Sequence, residues 1–596
     1  MSETEALGLA IVVWLGAWIG ATLALPLVPP WSVGAGLAVA AAFADRPRLL
    51  VLAGLLVAVS LGARADAGFL PSPTGRFEGT VRLLTDPAPF GIGTQTEVRL
   101  EDGRRLRLTL APPLSWESER WHAGWPIDVA GRIAALEETP WGRSRHLVGA
   151  LTAESAEPSG GPPWWMRPSE ALRSLVSASS GGFDSETASL YNGLVIGDDR
   201  DQSIGQQARF RAAGLSHLLA VSGQNVAFVL LVMSPLLRRL PPVARLAGTA
   251  AVLTVFAVAT RLEPSVMRAT LTAGIAAWAM SFGRRSSGIQ TLSLAVAGLV
   301  LIDPFLIDSV GFQLSVAASS GILLLGPSLA GRAPGPAWFA QTIGATLGAQ
   351  LGVLPLLLLT FGPVSLITIP ANLLAGWAAG MVMTWGMSGG LLAGAMSAGP
   401  GPDRLGDVLQ WPAGMLVSWV DGVARWASLA PAPMVTPRLV APLLASVAVL
   451  WLWGPRLGRT MRLAVVLLLS AVAVVHGTRA APDVVLTLES GATYWPPDET
   501  HPAVLVIASG ADRRLLSELL ASGVRSTDLI ILERGDRVTR PLLLDAIDQL
   551  SPSLVLAPAD HVIRGAHALT APASIAVAGG RLQIAIEGRR LEVTSE

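Results

Sequence analysis

The stretch GLSHLLAVSGQNV, residues 214–226, opens an apolar run that continues to Leu237. Its polar side chains include those of His217, Ser222, Gln224 and Asn225. A polar group in hydrocarbon costs roughly a few kcal/mol unless it faces a partner or a water-filled cavity. Since the run is long enough to cross a bilayer, its polar head predicts a site of transport or chemistry at membrane depth.

The composition is that of a membrane protein. Of the 596 residues 51% are hydrophobic and 14% are charged, whereas soluble domains carry roughly 25% charged residues. The absence of cysteine excludes disulfide bonds, thiolate metal sites and cysteine nucleophiles. The 43 basic and 43 acidic residues balance, which argues against a globally basic coat for nucleic acid. The N-terminus lacks a basic region and a cleavage site, so its first apolar run predicts a retained span.

The first third of the chain predicts spans, then strands, then surface helices. Three apolar runs, at about 6–25, 31–44 and 49–63, give an N-terminal transmembrane region over residues 1–66. Residues 70–157 change to short alternating runs, and five strands in this length indicate a small OB-like β barrel. A Pro/Gly-rich linker and amphipathic helices lying on the membrane surface are expected over 158–213.

The remainder predicts a bundle of spans and a second soluble domain. Repeated apolar runs make residues 214–478 a multi-span domain, in which the run at 364–396 is long enough to be broken or re-entrant. Strand and helix patterns alternate over 481–596 and predict an α/β domain. Arginines cluster in every second connection, which the positive-inside rule explains if the N-terminus is cytoplasmic and both soluble domains are external. A multi-pass protein of the plasma membrane is therefore expected.

Three further segments place polar residues near the start of apolar helices that are predicted to run from outside to inside. They are EPSVMRA (263–269) with Arg268, VGFQLSVAAS (310–319) with Gln313 and Ser315, and VSLITIPANLLA (364–375) with Asn372. Their shared depth predicts that they line one polar vestibule together with the first motif. The alternatives are hydrogen bonds between helices, snorkelling of Arg268, and an interfacial position for His217.

These motifs together resemble the ComEC family of competence proteins, the inner-membrane channels through which single-stranded DNA enters during natural transformation. The matching stretches are GLVIGDDR (193–200), GLSHLLAVSGQNV, EPSVMRA, a DP followed by GFQLS (303–315), and FGPVSLITIPANLLA (361–375). The order of parts is also similar: helices, an external OB-type domain, the competence domain and a metallo-β-lactamase-like tail. One departure is the Gln224–Asn225 pair, which stands where many members have Leu-His.

The tail departs from the family at its metal site. Members with a nuclease-like domain carry His-x-His-x-Asp-His after a hydrophobic strand, because two metal ions need several ligands on one loop. Here the strand DLIIL (528–532) is followed by ERGDRVT, in which Asp536 alone could bind a metal. The three tail histidines, His501, His561 and His567, are not at ligand spacing. The tail is expected to be metal-free and without nuclease activity.

A basic cluster in the external domain predicts a surface for single-stranded DNA. Four arginines surround the turn at 101–103 and three tryptophans follow; they are Arg99, Arg104, Arg105 and Arg107, then Trp116, Trp121 and Trp125. OB folds bind single strands with such a mixture of charged and stacking groups. An ordinary barrel with a basic hairpin and core tryptophans would show the same pattern.

The resemblance implies a membrane channel that passes single-stranded DNA inward, with no catalytic residue, cofactor or metal of its own. Its expected partners are the DNA strand, the lipid bilayer, a surface DNA receptor, a cytoplasmic motor or single-strand-binding proteins, and a separate nuclease if one strand is degraded. Two alternatives remain open. An ion-coupled small-molecule transporter normally has a buried carboxylate near mid-membrane. A membrane enzyme acting on a lipid or cell-wall precursor would use His217 as base with Asp198 or Asp199 as its partner.

Overall fold

The computed structural model describes most of the chain. The described residues are 2–22, 32, 34–38, 47–69, 74–90, 93–219, 223–260, 264–281, 287–361, 364–397, 403–430, 434–435, 485–497, 501–509, 511, 515–522, 524, 526–534, 539–550, 552–558, 567–569, 571–577, 580–587 and 590–595. The spans predicted at about 439–453 and 463–477, and most of the one at 31–44, lie outside them.

Two long apolar helices, α1 (Glu3–Thr22) and α2 (Pro47–Gly68), open the chain and pack along each other. Glycines bring their backbones together, since a β-carbon on Gly20 would lie 2.2 Å from the carbonyl oxygen of Val59. Gly54 of α2 lies against Leu9 of α1, near the start of both helices. Because early residues meet early residues and late ones meet late ones, the two helices run parallel.

A six-stranded sheet follows, with strands β1 (Gly75–Leu83), β2 (Ala88–Phe90), β3 (Gly93–Arg99), β4 (Arg105–Leu110), β5 (Pro126–Ala134) and β6 (Leu147–Pro158). The strand order is β1-β5-β6-β4-β3-β2, and β1 also pairs with β3. Neighbours are antiparallel except β4 and β6, which are parallel. All five predicted strands are present. Alternation explains why, since β4 buries Leu106, Leu108 and Leu110 and turns the residues between them outward.

Helices dominate the middle of the chain. Within the sheet's connections lie α3 (Leu114–Glu117) and α4 (Pro140–Ser144); after the sheet come α5 (Arg167–Ser179), α6 (Ser185–Ile196), α7 (Ile204–Ala212), α8 (Ser216–Leu219), α9 (Gly223–Leu237), α10 (Pro242–Ala259), α11 (Pro264–Ser281), α12 (Gly288–Ile302), α13 (Val310–Leu324), α14 (Gly326–Ala330), α15 (Ala337–Thr360), α16 (Thr368–Trp385), α17 (Leu391–Ser397) and α18 (Asp403–Leu429). Short 3-10 turns occur at Ser118–Arg120, Trp164–Met166 and Pro304–Asp308. Two short strands, β7 (Val364–Ser365) and β8 (Met434–Val435), pair with each other.

Four described helices are long and apolar enough to cross a membrane, by length and composition. They are Glu3–Thr22, Arg48–Gly68, Pro242–Ala259 and Ala337–Thr360. Three shorter apolar helices are Gly223–Leu237, Gly288–Ile302 and Val310–Leu324. Glycine also sets the helix spacing here, because a β-carbon on Gly321 of α13 would lie 2.1 Å from the carbonyl oxygen of Gly348 in α15.

The segment expected on the membrane surface requires a correction at α6. Leu190, Tyr191 and Leu194 are fully buried in one apolar core together with residues of α16 and α18. The polar residues of α6 resemble a solvent face in the sequence, yet Ser189 is also buried and its hydroxyl bonds the carbonyl of Glu186. Helix α6 is thus an internal helix.

The long apolar run at 364–396, predicted to be either broken or re-entrant, is interrupted by a turn. Helix α16 passes through a π turn, Gly386–Gly390, into α17. A β-carbon on Gly390 would lie 2.4 Å from the hydroxyl oxygen of Tyr191, so glycine lets this buried phenol reach the turn. Gln410 of α18 donates to the same hydroxyl at 2.9 Å.

The tail combines two sheets and two helices. One sheet contains β9 (Leu486–Leu488), β10 (Ala492–Trp495), β11 (Val504–Ile507), β12 (Leu529–Leu532), β13 (Leu554–Pro558) and β14 (His567–Leu569), the last four parallel; the other contains β15 (Ala573–Val577), β16 (Gly580–Glu587) and β17 (Arg590–Ser595). Helices α19 (Leu515–Ala521) and α20 (Thr539–Leu550) cover one face of the first sheet, and the second sheet covers the other. An α/β domain was expected here, and mixed α and β structure is observed.

Specific contacts tie the first sheet and the tail to the helices between them. Arg143 of α4 donates to the carbonyl of Ala21 at 2.8 Å and pairs with Asp66 at 3.1 Å. His146 lies 2.9 Å from Asp303, at the start of the 3-10 turn Pro304–Asp308. At the other end, Asp545 of α20 accepts a hydrogen bond from the backbone of Gly205 in α7 at 2.8 Å.

Candidate functional site in the helix bundle

The helices that carry the sequence motifs are neighbours. Helix α9 packs against α11 and α16, and α11 packs against α13. The first motif begins at Gly214, whose φ of 70° favours glycine. A β-carbon there would lie 2.3 Å from the hydroxyl oxygen of Thr368, the first residue of α16. The first and last motifs therefore meet at the start of their helices.

Arg268 is the charged group at this meeting point. Arg268 is only 8% exposed, and its Nε donates to the hydroxyl of Ser315 in α13 at 2.9 Å. Its guanidinium also lies over Gly223, where a β-carbon would be 2.6 Å from Nη2. In the part of the chain that the structure describes, Ser315 is its one hydrogen-bond partner and it forms no ion pair. A buried cation is thus held by a neutral partner.

The other predicted vestibule residues have different environments. Gln313 donates to the carbonyl of Ile307 at 2.7 Å, and Asn372 donates to the carbonyl of Thr368 at 2.8 Å. Both bonds are local to the start of a helix, so neither is the hydrogen bond between helices that is the alternative considered for these residues. His217 and Gln224 are exposed, whereas Asn225 is buried at 3% exposure. Ser222 lies outside the described residues.

A second cluster surrounds the motif GLVIGDDR. Asp198 accepts two hydrogen bonds from Arg200, at 2.8 and 2.7 Å, and one from Arg173 at 2.8 Å. The same Arg173, 7% exposed, reaches Asp86 at 3.3 Å and the carbonyl of Ala259 at 3.2 Å. Three separate parts of the chain therefore meet on one guanidinium: the β1–β2 connection, the motif loop and the end of α10.

The electrostatics of this cluster favour a fixed ion pair. Burial alone would raise the pKa of Asp198, but the hydrogen bonds from Arg200 and the charge of Arg173 outweigh it and lower the pKa to about 2. Burial lowers the pKa of Arg200, and its bonds to Asp198 outweigh this effect and raise it. Asp198 is therefore ionised and hydrogen-bonded to two arginines. A carboxylate in this state is poorly suited to the proton transfer that a membrane enzyme would need from Asp198.

The predicted DNA-binding tryptophans fall into different environments. Trp121 is 3% exposed and belongs to the core of the sheet, so its assignment as a stacking residue is wrong. Trp125 is half-buried against the same core, and Trp116 is 44% exposed. The sequence could not separate these cases, because a tryptophan has the same large apolar side chain in a core and on a binding surface.

The predicted arginines lie on the outer side of the sheet or its turn. Arg99 is exposed, Arg105 and Arg107 alternate with buried leucines on β4, and Arg104 lies 3.4 Å from Asp102 in the turn. Sequence analysis missed Trp141 and Arg145, which adjoin this face. Their position before β6 gave no sign that α4 would lie beside β4.

In the tail, the candidate ligand Asp536 and His561 lie outside the described residues. Across the described ranges, no group of three or more His, Asp and Glu residues is placed to hold a metal ion. His567 begins β14, and His501 precedes β11. No catalytic centre is assigned from these residues.

Fold and site together define a mostly helical, membrane-associated protein. In sequence, one six-stranded sheet precedes the central helices and two sheets follow them. Residues 194–459 match the family described as Competence protein. This match, with the two relatives described next, confirms the resemblance to competence proteins over that part of the chain. The matched range contains all four motif helices, α9, α11, α13 and α16.

Two curated relatives carry competence names. The chain is 26% identical over 508 residues to Competence protein ComA of Neisseria gonorrhoeae, covering 77% of this chain and 68% of that protein. It is 25% identical over 303 residues to ComE operon protein 3 of Bacillus subtilis strain 168, covering 46% of this chain and 38% of that protein. The match thus spans well under half of the Bacillus protein and about two thirds of the Neisseria protein. No solved structure gives a significant match.

Replacing Asp198 by Asn tests the ion-pair cluster. The pKa of about 2 lies below the roughly 3.9 of an unfolded Asp, so the ionised carboxylate stabilises the fold above about pH 4 and loses this contribution as the pH falls towards 2. We expect Asp198→Asn to lower the free energy of unfolding at pH 7 by about 2 kcal/mol. The difference from wild type should shrink between about pH 4 and 2.

Denaturation of the purified protein in detergent at several pH values measures this effect. Asp201→Asn is the matched control, because Asp201 is exposed three residues along in the same loop. An Asp198→Asn variant as stable as wild type at pH 7 would contradict the cluster's structural role.

Proposed function

We propose that this protein is a membrane channel that passes single-stranded DNA across the plasma membrane during natural transformation. The observation that carries the proposal is the meeting of three motif segments at a buried arginine that has no carboxylate partner in the described residues. The fourth segment contacts the first, at Thr368 and Gly214. The match of residues 194–459 to the competence family supports DNA uptake as the process. The charge of the site supports a more specific role within that process, the passage of a single DNA strand.

The charge pattern of the motif helices suits a polyanion. Helices α9, α11, α13 and α16 contain no Asp or Glu. A fixed carboxylate beside each passing phosphate would repel it by several kcal/mol at an effective dielectric constant of about 20. A cation-coupled transporter normally needs such a carboxylate near mid-membrane. The pattern therefore favours a nucleic-acid strand over a coupling cation.

The first sheet is proposed to be an external OB-like barrel. Its pairings can be followed from β1 through β5, β6, β4 and β3 back to β1, and the one parallel pair is β4 with β6. A closed path of five strands with this order is the arrangement expected of an OB fold. Such domains bind single strands through charged and aromatic groups.

Both soluble domains are proposed to lie outside the cytoplasm, with a cytoplasmic N-terminus and a multi-pass bundle. The parallel packing of α1 and α2 supports an odd number of crossings before the first sheet, since the intervening chain must return to the side on which α1 begins. The arginine-rich connections supply the orientation. Reporter fusions at Gly160 and Glu596 should be active only outside the cytoplasm, and a cytoplasmic signal at either position would refute this orientation.

The tail is proposed to be a metallo-β-lactamase-like domain that has lost its metal site, so that the protein is not itself an enzyme. Its two face-to-face sheets with helices on one outer face support the fold. The segment after DLIIL has two carboxylates, Glu533 and Asp536, and no histidine, which supports the loss because a two-metal site needs several converging ligands. A separate nuclease would then degrade the second strand. Stoichiometric zinc or manganese in the full-length protein, together with DNA cleavage, would overturn this proposal.

Reversing the charge at Arg268 tests the channel. We expect Arg268→Glu to reduce entry of labelled DNA into the cytoplasm at least tenfold, since a carboxylate would replace the cation that each phosphate approaches. Arg268→Lys keeps the charge and should retain more entry than Arg268→Glu. DNA entry is measured in a transformable strain that depends on this chain, at protein levels verified by immunoblot.

Arg332→Glu is the matched control for a charge reversal. Arg332 is exposed after α14 and its guanidinium donates to Ser328 one turn earlier, so this change should leave DNA entry unaltered. Normal entry with Arg268→Glu at normal protein level would rule out a conduit past Arg268.

A further inference from the structure

An exposed tryptophan contacts two arginines beside the first sheet. Trp141 of α4 is 48% exposed although its side chain is large and apolar. The guanidinium carbons of Arg107 and Arg145 lie 4.8 and 5.2 Å from the centre of its ring. These cation–π contacts hold the indole ring in one orientation while leaving about half of the residue open to solvent.

An ion pair holds one of the two arginines in place. Nη1 of Arg145 pairs with Oε1 of Glu97 at 2.7 Å, and Glu97 is 8% exposed. Arg107 lies directly opposite Glu97 in the pairing of β3 with β4. Within the described residues, the Nε of Arg107 is buried and makes no hydrogen bond, so it can still donate to a ligand. Arg107, Trp141 and Arg145 are called here the Trp141 platform.

A row of arginines continues the platform across the sheet. Arg82 of β1 lies opposite Arg99 of β3, and Arg99 lies opposite Arg105 of β4. Like charges directly opposite each other destabilise a sheet. Burial and the charge of Arg99 both lower the pKa of Arg105. A bound polyanion would relieve this repulsion, because each phosphate adds a negative charge beside the row.

The platform lies where the sheet meets the helices. Helix α4, which carries Trp141, is anchored by Arg143 to the ends of α1 and α2. The next residue after Arg145 is His146, which contacts Asp303. The 3-10 turn that begins there leads into α13, whose Ser315 holds Arg268. A strand bound at the platform would therefore be close to the segment that leads to the proposed conduit.

We propose that the Trp141 platform binds single-stranded DNA, with an unpaired base stacked on the exposed part of the indole and the neighbouring phosphates held by the arginine row. This site rests on the proposed function, since it assigns the strand's entry contact. An anionic lipid headgroup is the competing ligand for an exposed Trp–Arg group. The arginine row across three strands favours the nucleic acid, because it supplies charges along the length of a strand.

Binding of a fluorescent oligothymidylate to the purified full-length protein in neutral-lipid nanodiscs tests the site. Trp141→Ala should weaken binding about tenfold or more, the effect of losing one stacked base, and Trp141→Phe should retain most of the affinity. Trp164→Ala is the matched control, because Trp164 is 77% exposed and lies in the linker after β6. Thermal denaturation checks that the variants are folded.

Salt dependence separates stacking from charge. Trp141→Ala should leave the slope of log affinity against log salt unchanged, whereas Arg145→Gln should reduce it by about 0.7. Equal binding by wild type and Trp141→Ala, or no oligonucleotide binding by wild type, would overturn the site. A Trp141→Ala defect found only with anionic vesicles would assign the platform to lipid. These outcomes are independent of the Arg268→Glu result, which tests passage through the bundle.

Discussion

The hydrogen bond between Arg268 and Ser315 joins two helices of the bundle around a buried positive charge. A guanidinium that is almost fully buried normally pairs with a carboxylate, because an uncompensated charge in a medium of low dielectric constant is costly. Here a hydroxyl and the open face of Gly223 provide the surroundings in the described part of the chain. Helices α9, α11 and α13 are held together around that charge.

The contacts between the first sheet and the helices fix this sheet beside the bundle. Arg173 joins Asp86 of the sheet to Asp198 and to the end of α10, while Arg143 and His146 attach α4 to α1, α2 and the turn before α13. Ion pairs that are buried and hydrogen-bonded fix orientation more than they add stability. The basic face of the sheet is consequently presented at a defined position relative to the motif helices. Helix α7 links the bundle to the tail, through Gly205 and Ala208.

Much of this organisation could be predicted from sequence, and the errors have physical causes. Period-two alternation found the five main strands, and the polar motif residues marked helices that do pack together, as Gly214 with Thr368 and Arg268 with Ser315 demonstrate. Burial by distant segments could not be predicted, so α6 was placed on the surface and Trp121 on a binding face. Trp141 was missed for the same reason, because its arginine neighbours come from β4 and from the end of α4 and are brought together only by the fold.

Entry of DNA labelled on one strand, compared in a transformable strain and in the same strain lacking this protein, tests the central claim most directly. The channel predicts that surface binding of DNA persists without the protein while no labelled strand reaches the cytoplasm, and that restoring the gene restores entry of single-stranded label. Undiminished entry of labelled strand in the strain without the protein would contradict the claim.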